Sequence, residues 1–386
     1  MVMDTHLRNI NKNIVAGLII ILGFTSPILI TPFSSSFLSY KNYSWFYDTG
    51  GQVTDIAISY DNSYYVIGTT SKLLLFHKSY PNPIWEYDNI DHMHPVSITA
   101  NGKYFAGVDW DNLYVFSIEN GYINQRFIKA SSWLHSVEFS RNGEYFVVTD
   151  YKTLFLYSTT TFSQIWSFTS EELFGMVKIS SDGSYIVAID GNYLYMFSKF
   201  SNTSLWRFPI DNRSQRITMS ANGRYVLLGE YIVLDKYPKT LYLFNRDSDI
   251  PIWSCDFGRY ITSIAISDDG SMIAAGNSDG LINIFSSISS KPIFSYDTQW
   301  GIEFLSISSN GRSVVAASTE PFLCLACVGC PCSDDEGELY VFNFDLFSTS
   351  WWYDISRYIS SISISSDGRF VLMGSYEKIY YFQNKY

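Results

Sequence analysis

Apolar and polar residues alternate along most of this chain in runs of four to six, and a turn ends each run. Ile56 and Ile58, Val137 and Phe139, and Ile362 and Ile364 mark a period of two, which predicts half-buried strands. Each such run stops at Ser/Thr-x-Asp/Asn-Gly, as in Ser267-Asp268-Asp269-Gly270. A second apolar run follows the turn, as in Tyr185-Ile186-Val187-Ala188. A third closes on an aromatic, as in Leu113-Tyr114-Val115-Phe116, and nine residues later a fourth carries Trp-x-Tyr/Phe, as in Trp85-Glu86-Tyr87. Four short strands in about forty residues are the unit of a propeller blade.

The unit repeats eight times. Its turn slot holds Asn62, Gly102, Gly143, Gly183, Gly223, Gly270, Gly311 and Gly368. Asn62 departs from glycine, but Asn is the next most tolerant residue where φ is positive. The fourth-strand slot holds Trp45, Trp85, Gln125, Trp166, Trp206, Trp253, Phe294 and Trp351. Polar Gln125 predicts a less well packed seam after the second blade. The chain ends just after its eighth aromatic strand, while a Trp strand at 43–48 precedes the first full repeat. The expectation is an all-β, eight-bladed β-propeller of four-stranded blades over 43–386, closed by the N-terminal strand, which covers an edge that would otherwise be exposed.

These residues resemble two related families. The Ile264-Ala265-Ile266-Ser267-Asp268-Asp269-Gly270 stretch is similar to the WD40 repeat, and Leu-Tyr-x-Phe followed by Trp-x-Tyr is similar to quinoprotein-type (PQQ-like) propeller repeats. The resemblance covers 43–386 and implies a Trp from each blade docking on its neighbour. The WD40 strand ends in Trp-Asp. Here the slot is Phe or Tyr followed by Ser, Asn, His or Gln, so that family's hydrogen-bonded tetrad is not carried over. Quinoprotein dehydrogenases use a calcium-bound quinone and adjacent cysteines. This chain has no Cys-Cys pair, so no cofactor is carried over.

The N-terminus breaks the strand pattern. Residues 14–30 read IVAGLIIILGFTSPILI without a charge, after Arg8 and Lys12. Such a run predicts a helix that is either a membrane anchor or a signal peptide, and the basic flank places the remainder across the membrane, outside the cytoplasm. The organisation is then a cytoplasmic segment at 1–13, an anchor or signal at 14–31, a Ser-rich tether at 32–42 and the propeller at 43–386. The reading favours an uncleaved anchor, with secretion after cleavage as the alternative. Sequons at Asn42, Asn202 and Asn212 become candidate glycan acceptors in that compartment. Aromatics make up 18% of the chain, which suits pleated, half-buried strands. A net charge of -11 supplies no attraction to phosphate backbones, so nucleic acid is not an expected partner.

Length varies in one kind of loop. The interval from turn slot to closing aromatic is 14 or 15 residues in six blades, but 21 from Gly223 to Phe244 and 31 from Gly311 to Phe342. Both insertions fall between second and third strands, on the face where the links into first strands also emerge. Loops on a rigid scaffold commonly carry binding. The larger insertion holds Cys324, Cys327, Cys330 and Cys332, followed by Asp334, Asp335, Glu336 and Glu338. Outside the cytoplasm disulfides are the first expectation for such thiols, with a metal site as the alternative. Cys255 stands alone in a strand slot and reads as a small apolar residue. His94 and His135 share one repeat position at the channel mouth, with Glu303 there in blade seven. They are candidate ligand groups, against ordinary hydrogen-bonded side chains. Asp109, Asp150, Asp190 and Asp279 follow second strands and read as turn formers. No nucleotide loop, zinc-protease helix or nucleophile elbow occurs. The chain therefore reads as a non-enzymatic, membrane-tethered scaffold for a protein partner, with a redox or metal protein, a quinoprotein-like enzyme or a glycan-binding module as alternatives.

Overall fold

A computed structural model describes residues 39–88, 90, 92–93, 95–130, 134–210, 215–230, 239–319, 336–344, 350–355 and 357–384. Residues 1–38, which hold the apolar run, and the cysteine insertion lie outside them. Among the described residues no helix is long and apolar enough to cross a membrane.

The strands form eight separate sheets, each an antiparallel meander of four. Blade one runs Val53–Ile58, Tyr64–Thr69, Lys72–His77 and Trp85–Asp88. Blades two to seven occupy 96–130, 134–169, 177–209, 215–256, 261–297 and 301–355. Blade eight takes three strands from 361–383 and its outer strand from Trp45–Asp48, which pairs antiparallel with Lys378–Gln383. Blade seven carries a fifth strand. Ser39–Tyr40, at the end of the stretch read as a tether, pairs in parallel with Trp351 and Trp352. Periodicity could not show this, because two residues have no period.

The first turn of every blade repeats one geometry. The Ser or Thr Oγ donates to the Asp or Asn Oδ1 two residues on, at 2.6–3.1 Å. The same oxygen accepts the N–H five residues on, at 3.0–3.1 Å. This reverses the chain and satisfies a buried hydroxyl. All eight turn-slot residues have φ between 60° and 74°, Asn62 included. Glycine answers a second demand there. A Cβ at Gly183 would lie 2.4 Å from Cδ2 of Tyr145 in the preceding blade.

The core lies between blades. Each closing aromatic is buried, from Phe76 to Phe382. The fourth-strand Trp or Phe of one blade packs on the closing aromatic of the next, with ring centroids 4.8–6.4 Å apart at seven seams. The indole N–H of Trp166, Trp253 and Trp351 also reaches the next blade, at Lys199 O, Ser287 O and Asn384 Oδ1. At the eighth seam Gln125 is exposed beside a register shift. Phe162 of blade three packs across this seam on Tyr104 of blade two, and on Phe146 of its own blade, at 6.0 and 6.5 Å.

Candidate functional site: two unlike faces and a charged channel

An antiparallel four-stranded blade sends its first and third connections to one face, and its second connection and outgoing link to the other. The first turns therefore share a face around the channel, and backbone bonds join them in a circle. Asp61 N–H donates to Ala100 O, Ala100 to Arg141 O, Asn142 to Ser181 O, Ser181 to Ala221 O, Ala221 to Asp268 O, Asp268 to Ser309 O and Ser309 to Ser366 O, at 2.7–3.2 Å. Ser366 N–H and Oγ complete the circle on the Asn62 Oδ1. Asn62 thus keeps the positive φ of the glycines and adds the acceptor that joins the last blade to the first. Inside the circle Arg141 of blade three pairs with Asp268 of blade six at 2.5 Å, and its guanidinium lies 4.7 Å from the Tyr60 ring of blade one.

Polar side chains of the first strands line the channel and mostly serve the structure. Asp55 Oδ2 accepts Val96 N–H, Ser97 Oγ accepts Phe139 N–H and Ser263 Oγ accepts Leu305 N–H. Arg216 Nε donates to Thr262 O. Each bond ties a first strand to that of the following blade. Lys178 and Glu138 pair at 2.6 Å. Burial alone would lower the Lys178 pKa, but Glu138 and Asp55 outweigh it and hold the ammonium above its ordinary value.

At the other mouth, His135 is exposed at the start of Leu134–Phe139. The surrounding protein lowers its pKa, against the opposing charge of Asp150. Glu303 is exposed on blade seven, and its carboxyl is raised by loss of water, against the opposing pull of Arg216. His94 and the four clustered cysteines lie outside the described residues. Among the described residues no group of three or more His, Cys, Asp or Glu is placed to hold a metal ion. Cys255 is a half-buried free thiol whose pKa is raised by burial and by Asp256. Asp109 and Asp190 are turn formers: each Oδ1 accepts two backbone N–H groups, and each Oδ2 accepts a tyrosine hydroxyl.

This second face is where the two insertions emerge, and its loops expose large side chains. Trp110, Tyr151, Leu173, Tyr358 and Tyr376 are 53, 48, 46, 38 and 49% exposed. His92 stacks on Trp110 at 6.1 Å. Sequence reasoning found the face through its insertions but missed its aromatics, which occupy loop positions outside the repeat pattern. It also missed the Arg141–Asp268 pair, because nothing local couples residues 127 positions apart.

The architecture is that of a WD40-like β-propeller. Residues 248–286, across the seam of blades five and six, match the family described as WD domain, G-beta repeat. Among solved structures the chain is similar to Sqt1 of Saccharomyces cerevisiae, with 12% identity, a TM-score of 0.69, and 89% of this chain and 99% of that one covered. It is also similar to the β-propeller domain of Cps50 (Swd1) of Myceliophteria thermophila, with 9% identity, a TM-score of 0.57, and 72% of this chain and 96% of that one covered. At such identities the likeness is one of fold. No curated protein matches the chain.

Proposed function

We propose that the protein is a non-catalytic interaction scaffold, held at a membrane by residues 14–31 with its propeller outside the cytoplasm, that binds a protein partner through its insertion-bearing face. Loop length carries this reading. Both faces expose large side chains, Tyr80, Tyr122 and Phe200 on the face of the first turns and Trp110, Tyr151, Tyr358 and Tyr376 on the other. Both length insertions join second to third strands, and so belong to the second face. Exposed aromatics on rigid loops are the side chains that anchor protein interfaces. Propellers of the WD40 class typically act as such scaffolds, which agrees with this reading. In an oxidising compartment Cys324, Cys327, Cys330 and Cys332 form disulfides that stiffen the larger insertion.

The test is affinity capture from native membranes with the full chain, beside a chain whose residues 321–335 are replaced by a short Gly-Ser link and one carrying Trp110→Ser with Tyr376→Ser. A partner retained by the parent and reduced tenfold or more in either variant supports the reading. Equal recovery by all three overturns it.

A further inference from the structure

The chain enters the propeller on the face of the first turns. Ser39 N–H donates to Ser350 O at 3.2 Å, and Ser350 closes the third connection of blade seven, just before the strand Trp351–Ile355. Ser39 and Tyr40 run parallel to that strand, opposite Trp351 and Trp352, so the chain comes in from the end where the third connections lie. Residues 32–38 separate the apolar run from Ser39 and reach at most about 25 Å when fully extended. A bilayer on the other side would draw the tether down the wall of blade seven, where a strand such as Ser313–Thr319 is itself about 20 Å long.

The same face carries a rim of apolar side chains in water. In blades one, two, four, five and six the third connection, or the residue next to it, presents Tyr80, Tyr122, Phe200, Ile250 and Ile288, each 57–85% exposed. Lys78, Lys199, Arg246 and Lys291 lie within four positions of these tips, and Lys199 Nζ is 5.3 Å from the Phe200 ring. Asp247 and Asp249 are the opposing carboxylates among the described residues of those connections. In the second connections and outgoing links, on the opposite face, the described carboxylates outnumber the described cations, Asp111, Glu171, Glu172, Asp279 and Glu377 among them. Charge and apolar surface are thus both sorted by face, and the acidic side is the one turned from the tether.

We infer that the face of the first turns rests on the lipid bilayer, with the rim of apolar tips set among the headgroups and the insertion-bearing face turned outward. Aromatic and aliphatic side chains flanked by lysine or arginine suit the membrane–water interface, where the rings lie at headgroup depth and the cations meet lipid phosphates. The tether holds the bilayer at high local concentration, so tips too few to bind by themselves suffice to orient the propeller. A single exposed apolar residue is ordinary on any surface. Recurrence at one loop of five blades, on the face where the chain enters, is a pattern. The inference rests on reading residues 14–31 as a membrane anchor, and it names the face that the bilayer occupies.

Full-length protein is reconstituted into vesicles of phosphatidylcholine with a minor share of phosphatidylglycerol, with or without bromine on the acyl chains, which quenches indole emission at short range. Phe200→Trp and Ile288→Trp each place one indole on the rim, and Tyr376→Trp places one on the opposite face. All three positions are exposed, so the folded chain accommodates each ring. Bromine in both leaflets makes the direction of insertion immaterial. Brominated lipid should remove half or more of the emission that each rim variant adds over the parent, and less than a tenth of that added by Tyr376→Trp. Unquenched emission from either rim variant, or equal quenching of Tyr376→Trp, overturns the inference. A parent that fails to float with the vesicles removes the anchor reading and this inference together. A parent that floats while the rim variants stay unquenched removes this inference alone, and if that parent also sediments as a dimer the face belongs to a second copy.

Discussion

The turn between first and second strands shows how much one residue type can carry. Its hydroxyl both donates and accepts, so the buried oxygen is satisfied while the backbone reverses. The carboxylates at this slot feel the same network. For Asp182 and Asp269 burial would raise the pKa, but the neighbouring backbone N–H and serine hydroxyls outweigh it and hold each carboxyl below its ordinary value. The turn glycines meet two demands, positive φ and contact with the preceding blade, and these can be separated. Gly50 has φ 68° with nothing within 4 Å of a built Cβ, whereas Gly183 has φ 73° and a Tyr145 carbon at 2.4 Å. Gly50→Ala should cost about 1 to 2 kcal/mol, the left-handed penalty alone. Gly183→Ala should add roughly 1 to 3 kcal/mol for overpacking. Urea unfolding of the two variants checks this, and equal losses would refute it. The φ requirement was legible in the sequence from Ser-x-Asp-Gly; the contact with Tyr145 was not, since it joins two blades.

At the scale of the element, alternation assigned the strands, and the constant nine-residue interval placed a Trp on each fourth strand. The structure adds why the interval is constant: the indole must reach the closing aromatic of the next blade, and an added residue would turn it to the other side of the sheet. Gln125 shows the limit of that logic. A polar residue in the slot predicted a less well packed seam, and Phe162 crosses that seam from the loop before the fourth strand of blade three, a segment with no periodicity to read. Phe162→Ala should therefore lower stability by about 2 kcal/mol, less than for a fully buried ring. Gln125→Ala, at an exposed position, should stay within about 0.5 kcal/mol. Chemical denaturation of both variants decides between them, and the reverse order would return the seam to Gln125.

For the whole molecule, the N-terminal strand completes the last blade, since Trp45–Asp48 pairs with Lys378–Gln383. Contacts between the first and last blades include Val53 N–H on Tyr376 O, Asn62 accepting from Ser366, and Ser361 Oγ approaching Asp55 Oδ1 at 3.4 Å. A chain lacking residues 1–48 would leave the Lys378–Gln383 strand as an open edge able to pair with another copy. It should associate with rising concentration in sedimentation experiments, whereas a chain lacking only 1–38 should remain a single species. Two monodisperse chains would show that the outer strand is dispensable to the ring.

The amino-acid sequence by itself determined the strand pattern, the eightfold count, the turn chemistry and the loops that lengthen, because each depends on residues within about forty positions of one another and on a period that repetition makes visible. Only the tertiary structure decided which side chains meet across the channel and along the seams. Arg141 finds Asp268, Phe162 meets Tyr104, and Glu338, Asp297 and Trp352 share one cleft because closing the ring sets distant segments side by side. Such a contact exists only once every intervening blade has its width and twist, so no local period records it.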